Sequence, residues 1–182
     1  MYDEDRPYTV VCDDPTESER KGYWEVAASL QQCDGLEVSS YAAKIGQRYI
    51  EGEIDSFEVN QALEAKYENR AHGDRQAEAD IVSGRIASLL ESDSFVLSPG
   101  TLLGIHAALF EGVFKKEWVG SFRVENISKK EPVLGGRSVM YANWQSLRDI
   151  VSCDFEEERR YRYPRISDDK AIDHFCDFIS RV

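Results

Sequence analysis

The chain has 182 residues, of which 31% are charged and 42% are hydrophobic, and this composition is that of a folded protein with a buried core. Its 34 acidic residues outnumber its 22 basic ones, and the resulting net charge of −12 argues against general binding to nucleic acid. The first residues are acidic and polar, and no apolar run approaches the ~20 residues of a membrane span. We therefore predict no signal peptide, no membrane contact and a cytoplasmic location.

The four cysteines are far apart in the sequence, and the spacing of the three histidines does not predict a metal site. No two cysteines form a C-x-x-C pair, and no histidine stands at ligand spacing from another histidine or from a cysteine pair. In a cytoplasmic protein this pattern indicates reduced thiols and no bound metal. The residues concerned are Cys12, Cys33, Cys153, Cys176, His72, His106 and His174.

The first half of the chain has the apolar periodicity of four helices. Residues 1–15 are polar and predict a loose segment, and from Thr16 onward apolar residues recur at intervals of three and four. Ser56 is the expected cap of the third helix. The four helices are expected to end near Gly35, at Gly52, before a turn at 69–74 and before a connector at 91–97.

Three further helices and one hairpin are predicted in the second half. Ser98-Pro99 is a typical helix start, with a capping serine followed by proline in the first turn. Residues 130–142 are β-rich around Gly135-Gly136, and paired glycines between apolar runs are typical of a β-hairpin. The remaining helices are expected from Trp144 to about Arg160 and from Ser167 onward.

Three stretches, taken in order, resemble the Fic domain family. Residues 102–114, LLGIHAALFEGVF, are similar to that family's L-x-x-I-H-x-x-L-F helix. Residues 118–129, WVGSFRVENISK, are similar to its W-A-G-x-x-R-x-x-N-I-x-K segment, with Val119 in place of the alanine. Residues 133–142, VLGGRSVMYA, match the position of its flap, a hairpin that pairs with an extended stretch of a target protein. The order and spacing of the three stretches make the resemblance specific.

The resemblance implies a mainly α fold: a Fic-like helical bundle with one flap hairpin. It also implies the family's activity, the transfer of AMP from ATP to a protein hydroxyl with magnesium as the metal. His106 would be structural, which is also the ordinary role of a histidine on an apolar helix face. The target-binding flap would consist of Val133, Leu134, Gly135, Gly136, Val139, Met140 and Tyr141.

The family's catalytic loop, H-P-F-x-[DE]-G-N-[GT]-R, is not found in the sequence. Its histidine is the family's general base, its acidic residue holds the metal, and its glycines and arginine bind phosphate, as phosphoryl transfer requires. Residues 172–182 resemble the helix that precedes this loop, and His174 lies inside that helix without a following Pro-Phe. We therefore expect a chain truncated before the loop, with no catalytic residue, no bound ATP or magnesium and no activity of its own.

The N-terminal helices carry a second resemblance, to the antitoxin-like segments that accompany Fic domains. Residues 49–54, YIEGEI, are similar to their Y-I-x-G-E-I segment. In that group an inhibitory helix carries [S/T]-x-x-x-E-[G/N], and its glutamate pairs with the arginine of the catalytic loop. Ser29, Asp34 and Gly35 are the candidates here, with aspartate in place of glutamate and the serine one residue too far away. The alternative is that Asp34-Gly35 only ends a helix.

These resemblances divide the chain into a loose segment 1–15, an antitoxin-like helical segment 16–70 and an incomplete Fic-like domain 74–182. The expected partners are a protein target on the flap and a second copy of the chain, bound through apolar residues that the last helix leaves uncovered. The alternative function is that of a non-catalytic protein-interaction or antitoxin-like module. The apolar residues of the last helix are Phe175, Phe178, Ile179 and Val182.

Overall fold

The computed structural model describes residues 14–69, 73–92, 94–130, 138–163 and 167–181, and it is mainly α-helical. The chain forms two compact units, Met1–Asp93 and Ser94–Val182. The prediction of a mainly α protein is confirmed. No helix in the described part of the chain has both the length and the apolar character needed to cross a bilayer.

The residues that the structure describes in the first unit form four α-helices. Their starts follow the capping rules, because Thr16 and Asp55 each accept the backbone N–H of a glutamate three residues later, which in turn binds the cap's own N–H. The third helix is therefore capped by Asp55 and not by Ser56, which is its first residue. The helices are α1 Glu17–Cys33, α2 Ser40–Ile50, α3 Ser56–Lys66 and α4 Arg75–Leu90.

The core of the first unit forms where α4 packs against α1 and α3. Gly46 on α2 lies directly under the indole of Trp24, because a Cβ at this position would stand 2.0 Å from Trp24 Cε2. The absent side chain thus lets the indole lie on the helix backbone. The buried apolar residues here include Trp24, Ala27, Ala42, Tyr49, Val59, Leu63, Ala77, Ile81, Val82 and Ala87.

The boundary between the two units does not coincide with the boundary predicted from the sequence. The sequence places α4 in the second domain, which was expected to span 74–182, whereas in the structure α4 belongs to the first unit and the division falls after Asp93. The reason is the buried Asp80 of α4, whose carboxylate accepts bonds from the backbone N–H of Ser39 at 2.7 Å and the Tyr67 hydroxyl at 2.7 Å. Removing either neighbour would leave this carboxylate underpaired away from water, so α4 is held among α2 and α3.

In its described residues, the second unit combines three α-helices with a pair of short strands. Ser98 caps its first helix by accepting the N–H of Thr101, and Pro99 is the first helical residue, as predicted. Short 3-10 turns, Lys116–Trp118 and Trp144–Ser146, lie on either side of the strands. The elements are α5 Pro99–Phe110, β1 Ser128–Lys130, β2 Ser138–Met140, α6 Leu147–Arg160 and α7 Asp168–Arg181.

The core of the second unit lies between α6 and α7. Phe155 and Phe178 meet edge to face with ring centroids 5.1 Å apart, and both are almost fully buried. The expectation that Phe178 is uncovered is therefore wrong, because Phe155 and Phe175 cover it. The apolar residues that α7 does expose are Ile172 and Ile179, while Val182 lies outside the described residues.

Candidate functional site on the hairpin unit

His106 of α5 holds the following loop by a single hydrogen bond. Its Nδ1 accepts the backbone N–H of Gly120 at 3.0 Å, so the neutral ring carries its proton on Nε2. Gly120 has φ +62, and a Cβ there would stand 3.0 Å from the Cβ of Ala107, so glycine suits both the backbone and the contact. His106 thus acts as a structural acceptor that fixes the WVG segment on α5.

Two polar side chains connect the residues before β1 with those after β2. The guanidinium of Arg123 donates to the carbonyl of Ala142 and, at 2.7 Å, to that of Glu125. The amide oxygen of Asn126 accepts the backbone N–H of Trp144 at 3.0 Å. The bonds to Ala142 and from Trp144 join segments on opposite sides of the hairpin, so together they fix its base. Both residues belong to the stretch 118–129 on which the family resemblance rests.

The two strands pair in antiparallel register, with Ser128 opposite Met140 and Lys130 opposite Ser138. The sheet has two strands in the described part of the chain, so each strand has one edge without a strand neighbour. The expected turn at Gly135-Gly136, with Val133 and Leu134, lies outside the described residues. Of the expected flap residues, Val139 and Met140 lie in β2, and Tyr141 follows it with 41% of its surface exposed.

An exposed apolar surface surrounds the base of this hairpin. The antiparallel register places Ile127 next to Tyr141, one position beyond the pair Ser128 and Met140. Side chains of this size and number are seldom left in water on one small surface unless they contact a partner. We call the set the hairpin-base surface; it comprises Val124, Ile127, Tyr141 and Trp144.

The inhibitory-motif candidates lie at the end of α1 in the first unit. Asp34 is the C-cap residue of α1, and Gly35 follows it with φ +68. The N–H of Gly35 binds the carbonyl of Gln32, and that of Leu36 binds the carbonyl of Gln31, which is the hydrogen-bond pattern of a Schellman helix end. The side chains of Ser29 and Asp34 are exposed. This geometry accounts for Asp34-Gly35 as a helix-ending turn, and an inhibitory role stays a prediction.

Sequence reasoning missed a cluster of ionisable side chains between α6 and α7. The buried carboxylate of Glu158 accepts hydrogen bonds from the Tyr163 hydroxyl and, at 2.9 Å, from Nε2 of His174. Burial, followed by the bond to Glu158, raises the pKa of Tyr163. Glu158 lies at helical spacing from the buried Val151 and Phe155, but a charged residue at such a position is ordinarily exposed, so the sequence alone does not indicate its burial.

Metal-ligating and thiol groups do not gather in the part of the chain that the structure describes. No three His, Cys, Asp or Glu side chains there are arranged to hold a metal ion. Cys33, Cys153 and Cys176 are exposed free thiols, whereas Cys12 and His72 lie outside the described residues.

Comparison with known proteins identifies no relative of this chain. No protein-family model matches the chain, and the search finds no significant match among curated proteins or solved structures. The resemblance to the Fic family therefore rests on the three stretches and on the side chains that they contribute.

Proposed function

We propose that the second unit is a Fic-like module that binds an extended segment of a target protein along the edge of its hairpin. The activity that goes with this fold is the transfer of AMP from ATP to a protein hydroxyl, with magnesium on the phosphates. The observation that carries the proposal is the fixed base of the hairpin. His106, Arg123 and Asn126 stand at the matching positions of the family segments. Arg123 and Asn126 hold this base, and His106 fixes the loop that leads to it.

The chemistry of the hairpin suits such a target. A strand edge offers backbone N–H and C=O groups that an extended peptide can pair with, whatever its sequence. The hairpin-base surface would add specificity, because apolar side chains of the peptide would cover Ile127 and Tyr141. The net charge of −12 favours a target segment that is neutral or basic.

The transfer step needs groups that are not in these 182 residues. Without the H-P-F-x-[DE]-G-N-[GT]-R loop, the polypeptide lacks the general base and the phosphate-binding amides of the family. We therefore propose that this polypeptide binds a target without adenylylating it, and that ATP and magnesium are used only where that loop is supplied. In such a form, Asp34 would act as the inhibitory carboxylate, and Asp34→Ala would raise transfer.

A non-catalytic interaction module is the second candidate. The engagement of the described histidines favours it, because His106 accepts from Gly120 and His174 pairs with Glu158. Nδ1 of His106 could not take a proton from a target hydroxyl without losing its bond to Gly120, and the His174 ring is held against the buried Glu158. In this case the hairpin would serve binding alone.

One experiment separates the two candidates. A displayed library of random peptides is selected on the 182-residue protein. The best peptide is then remade in two versions with N-methyl groups on alternate backbone amides: one carries them on the amides that face the hairpin, and the other on the amides that face away. We expect the unmodified peptide to bind, and the version methylated on the amides that face the hairpin to lose binding, because those amides could no longer pair with the strand edge. Arg123→Ala should weaken binding, whereas Arg160→Ala, which removes an exposed arginine paired with Glu156, should not.

The bound peptide, extended to include serine, threonine and tyrosine, is then incubated with labelled ATP and magnesium. Binding without label supports the interaction module for this polypeptide. Binding with label would show that the transfer chemistry resides in groups other than the family loop. Equal binding of the unmodified and both N-methylated peptides, or no selected peptide at all, would overturn the proposed use of the hairpin edge.

A further inference from the structure

The cluster around Glu158 is independent of the hairpin and has features of a conformational device. Its carboxylate side chain is 1% exposed, while the ring of His174 is 29% exposed and can exchange protons with water. A buried carboxylate needs hydrogen bonds and a compensating charge to offset its lost hydration. Tyr163 supplies a neutral donor, so the compensating charge depends on His174.

The position of His174 makes it the link between two helices. Glu158 lies on α6 and His174 on α7, and their side chains join across the helix pair at 2.9 Å. The ring of Tyr161 stacks on that of His174 with centroids 3.4 Å apart and planes 6° apart. An aromatic face at this distance attracts an imidazolium more strongly than a neutral imidazole.

The surroundings hold no competing cation within ion-pair distance of Glu158 among the described residues. On α6 itself, Arg160 pairs with Glu156 and is exposed. The neighbouring helix α5 has His106 as its single ionisable side chain, and that ring is bonded to Gly120. The 3-10 turn Trp144–Ser146, which also packs on α6, carries no ionisable group. Among the other charged side chains that the structure describes on α6, α7 and their connector, Asp154 is half-buried one turn before Glu158 on α6. The rest are exposed, namely Arg148, Asp149, Glu156, Glu157, Arg159, Arg162, Asp168, Asp169, Lys170, Asp173 and Asp177.

We propose that Glu158 and His174 form a proton-dependent latch that holds α7 against α6. With His174 protonated, the buried carboxylate faces a cation and α7 is held firmly. When His174 loses its proton, Glu158 keeps neutral donors alone and the hold on α7 weakens. The hold of α6 on α7 would therefore depend on pH through the charge of the His174 ring.

The test measures amide hydrogen exchange in α7 at pH 6 and at pH 8, each corrected for the intrinsic exchange rate and expressed relative to α5. In the native protein we expect the protection of α7 to fall about fivefold between the two pH values, the size that a partly exposed ion pair suggests. His174→Gln keeps a side-chain donor but carries no charge, so its α7 protection should be equal at both pH values. Arg160→Gln is the matched control and should retain the native pH dependence.

Two results would overturn the latch. One is a native α7 whose protection does not change with pH relative to α5. The other is an unchanged pH dependence in His174→Gln. If that variant does not fold, a nuclear magnetic resonance titration of the native protein decides, since the His174 ring and the α7 amides must then shift with one common midpoint. Separate midpoints would count against the latch.

Discussion

Gly46 shows how one missing side chain can determine the packing of a helix pair. The indole of Trp24 occupies the place where a Cβ of residue 46 would stand. Trp24 itself is 7% exposed and contributes one of the largest apolar surfaces in the first unit. The contact therefore couples the position of α1 to that of α2 at a single point.

We expect Gly46→Ala to lower the free energy of unfolding by about 1–3 kcal/mol, because the added methyl group forces the indole or the helix to move. Urea denaturation followed by tryptophan fluorescence measures the change. Gly22→Ala is the matched control, since a Cβ at that helical position meets nothing within 4 Å. The control should be neutral or stabilising by up to about 1 kcal/mol. Equal effects of the two substitutions would contradict the packing argument.

Tyr49 is fully buried, and its hydroxyl donates to Glu91 at 2.6 Å. Burial, and then the bond to this carboxylate, raises the pKa of Tyr49 above its usual 10.0. A raised pKa means that the folded state binds the phenolic proton more tightly than the unfolded state. The corresponding stability is complete below about pH 10 and is lost as the pH rises above that value.

We therefore expect the free energy of unfolding to decrease from pH 9 to pH 11, and Tyr49→Phe to decrease less steeply over the same range. Urea titrations at each pH measure both slopes. Tyr23→Phe is a suitable control, because Tyr23 is partly exposed in the same unit. A Tyr49→Phe slope as steep as the native one would show that other groups cause the alkaline loss.

At the scale of single elements, the helix that carries His106 holds its loop by one acceptor atom. His106→Leu removes that acceptor and leaves the N–H of Gly120 without its bond. We expect a loss of about 1–3 kcal/mol in the second unit and faster hydrogen exchange at the amide of residue 120. His106→Asn places an amide oxygen near the position of Nδ1 and should restore part of the protection. Unchanged exchange at residue 120 in the leucine variant would contradict the assigned role.

Local signals in the sequence predict the elements well, and distant pairings explain what they miss. The Ser98-Pro99 start of α5 and the glycine end of α1 are correctly predicted, because caps depend on residues a few positions apart. The carboxylates of Asp80 and Glu158 look like ordinary surface charges in the sequence. Their partners lie up to 41 positions away, so their burial follows from the fold and not from local pattern.

At the scale of the whole molecule, the division into two units moves the expected boundary from about residue 72 to residue 93. Periodicity identifies α4 as a helix but does not say which neighbours will cover it. For the candidate site, the family resemblance predicted the structural role of His106 and the position of the hairpin. The bonds of Arg123 and Asn126 to the far side of that hairpin required the structure.

We predict that proteases cut the chain in residues 94–97, which connect the first unit to α5. Phe95 and Val96 are 59% and 71% exposed and lie in a stretch without helix or strand. We expect brief chymotrypsin treatment to cut first after Phe95 and to release two folded fragments. Phe57 is a built-in control, because it is 70% exposed but lies within α3. First cleavage at Phe57, or fragments that are digested as soon as they form, would contradict the two-unit division.

The three tryptophans of the chain are divided between the units in a way that supplies its own spectroscopic labels. Trp24 is shielded in the first unit, whereas Trp118 and Trp144 of the second unit are 57% and 37% exposed. A water-soluble quencher such as iodide would therefore extinguish the emission of the second unit and leave the blue-shifted emission of the first. Each half of the molecule can thus be followed separately in one cuvette without attaching a dye.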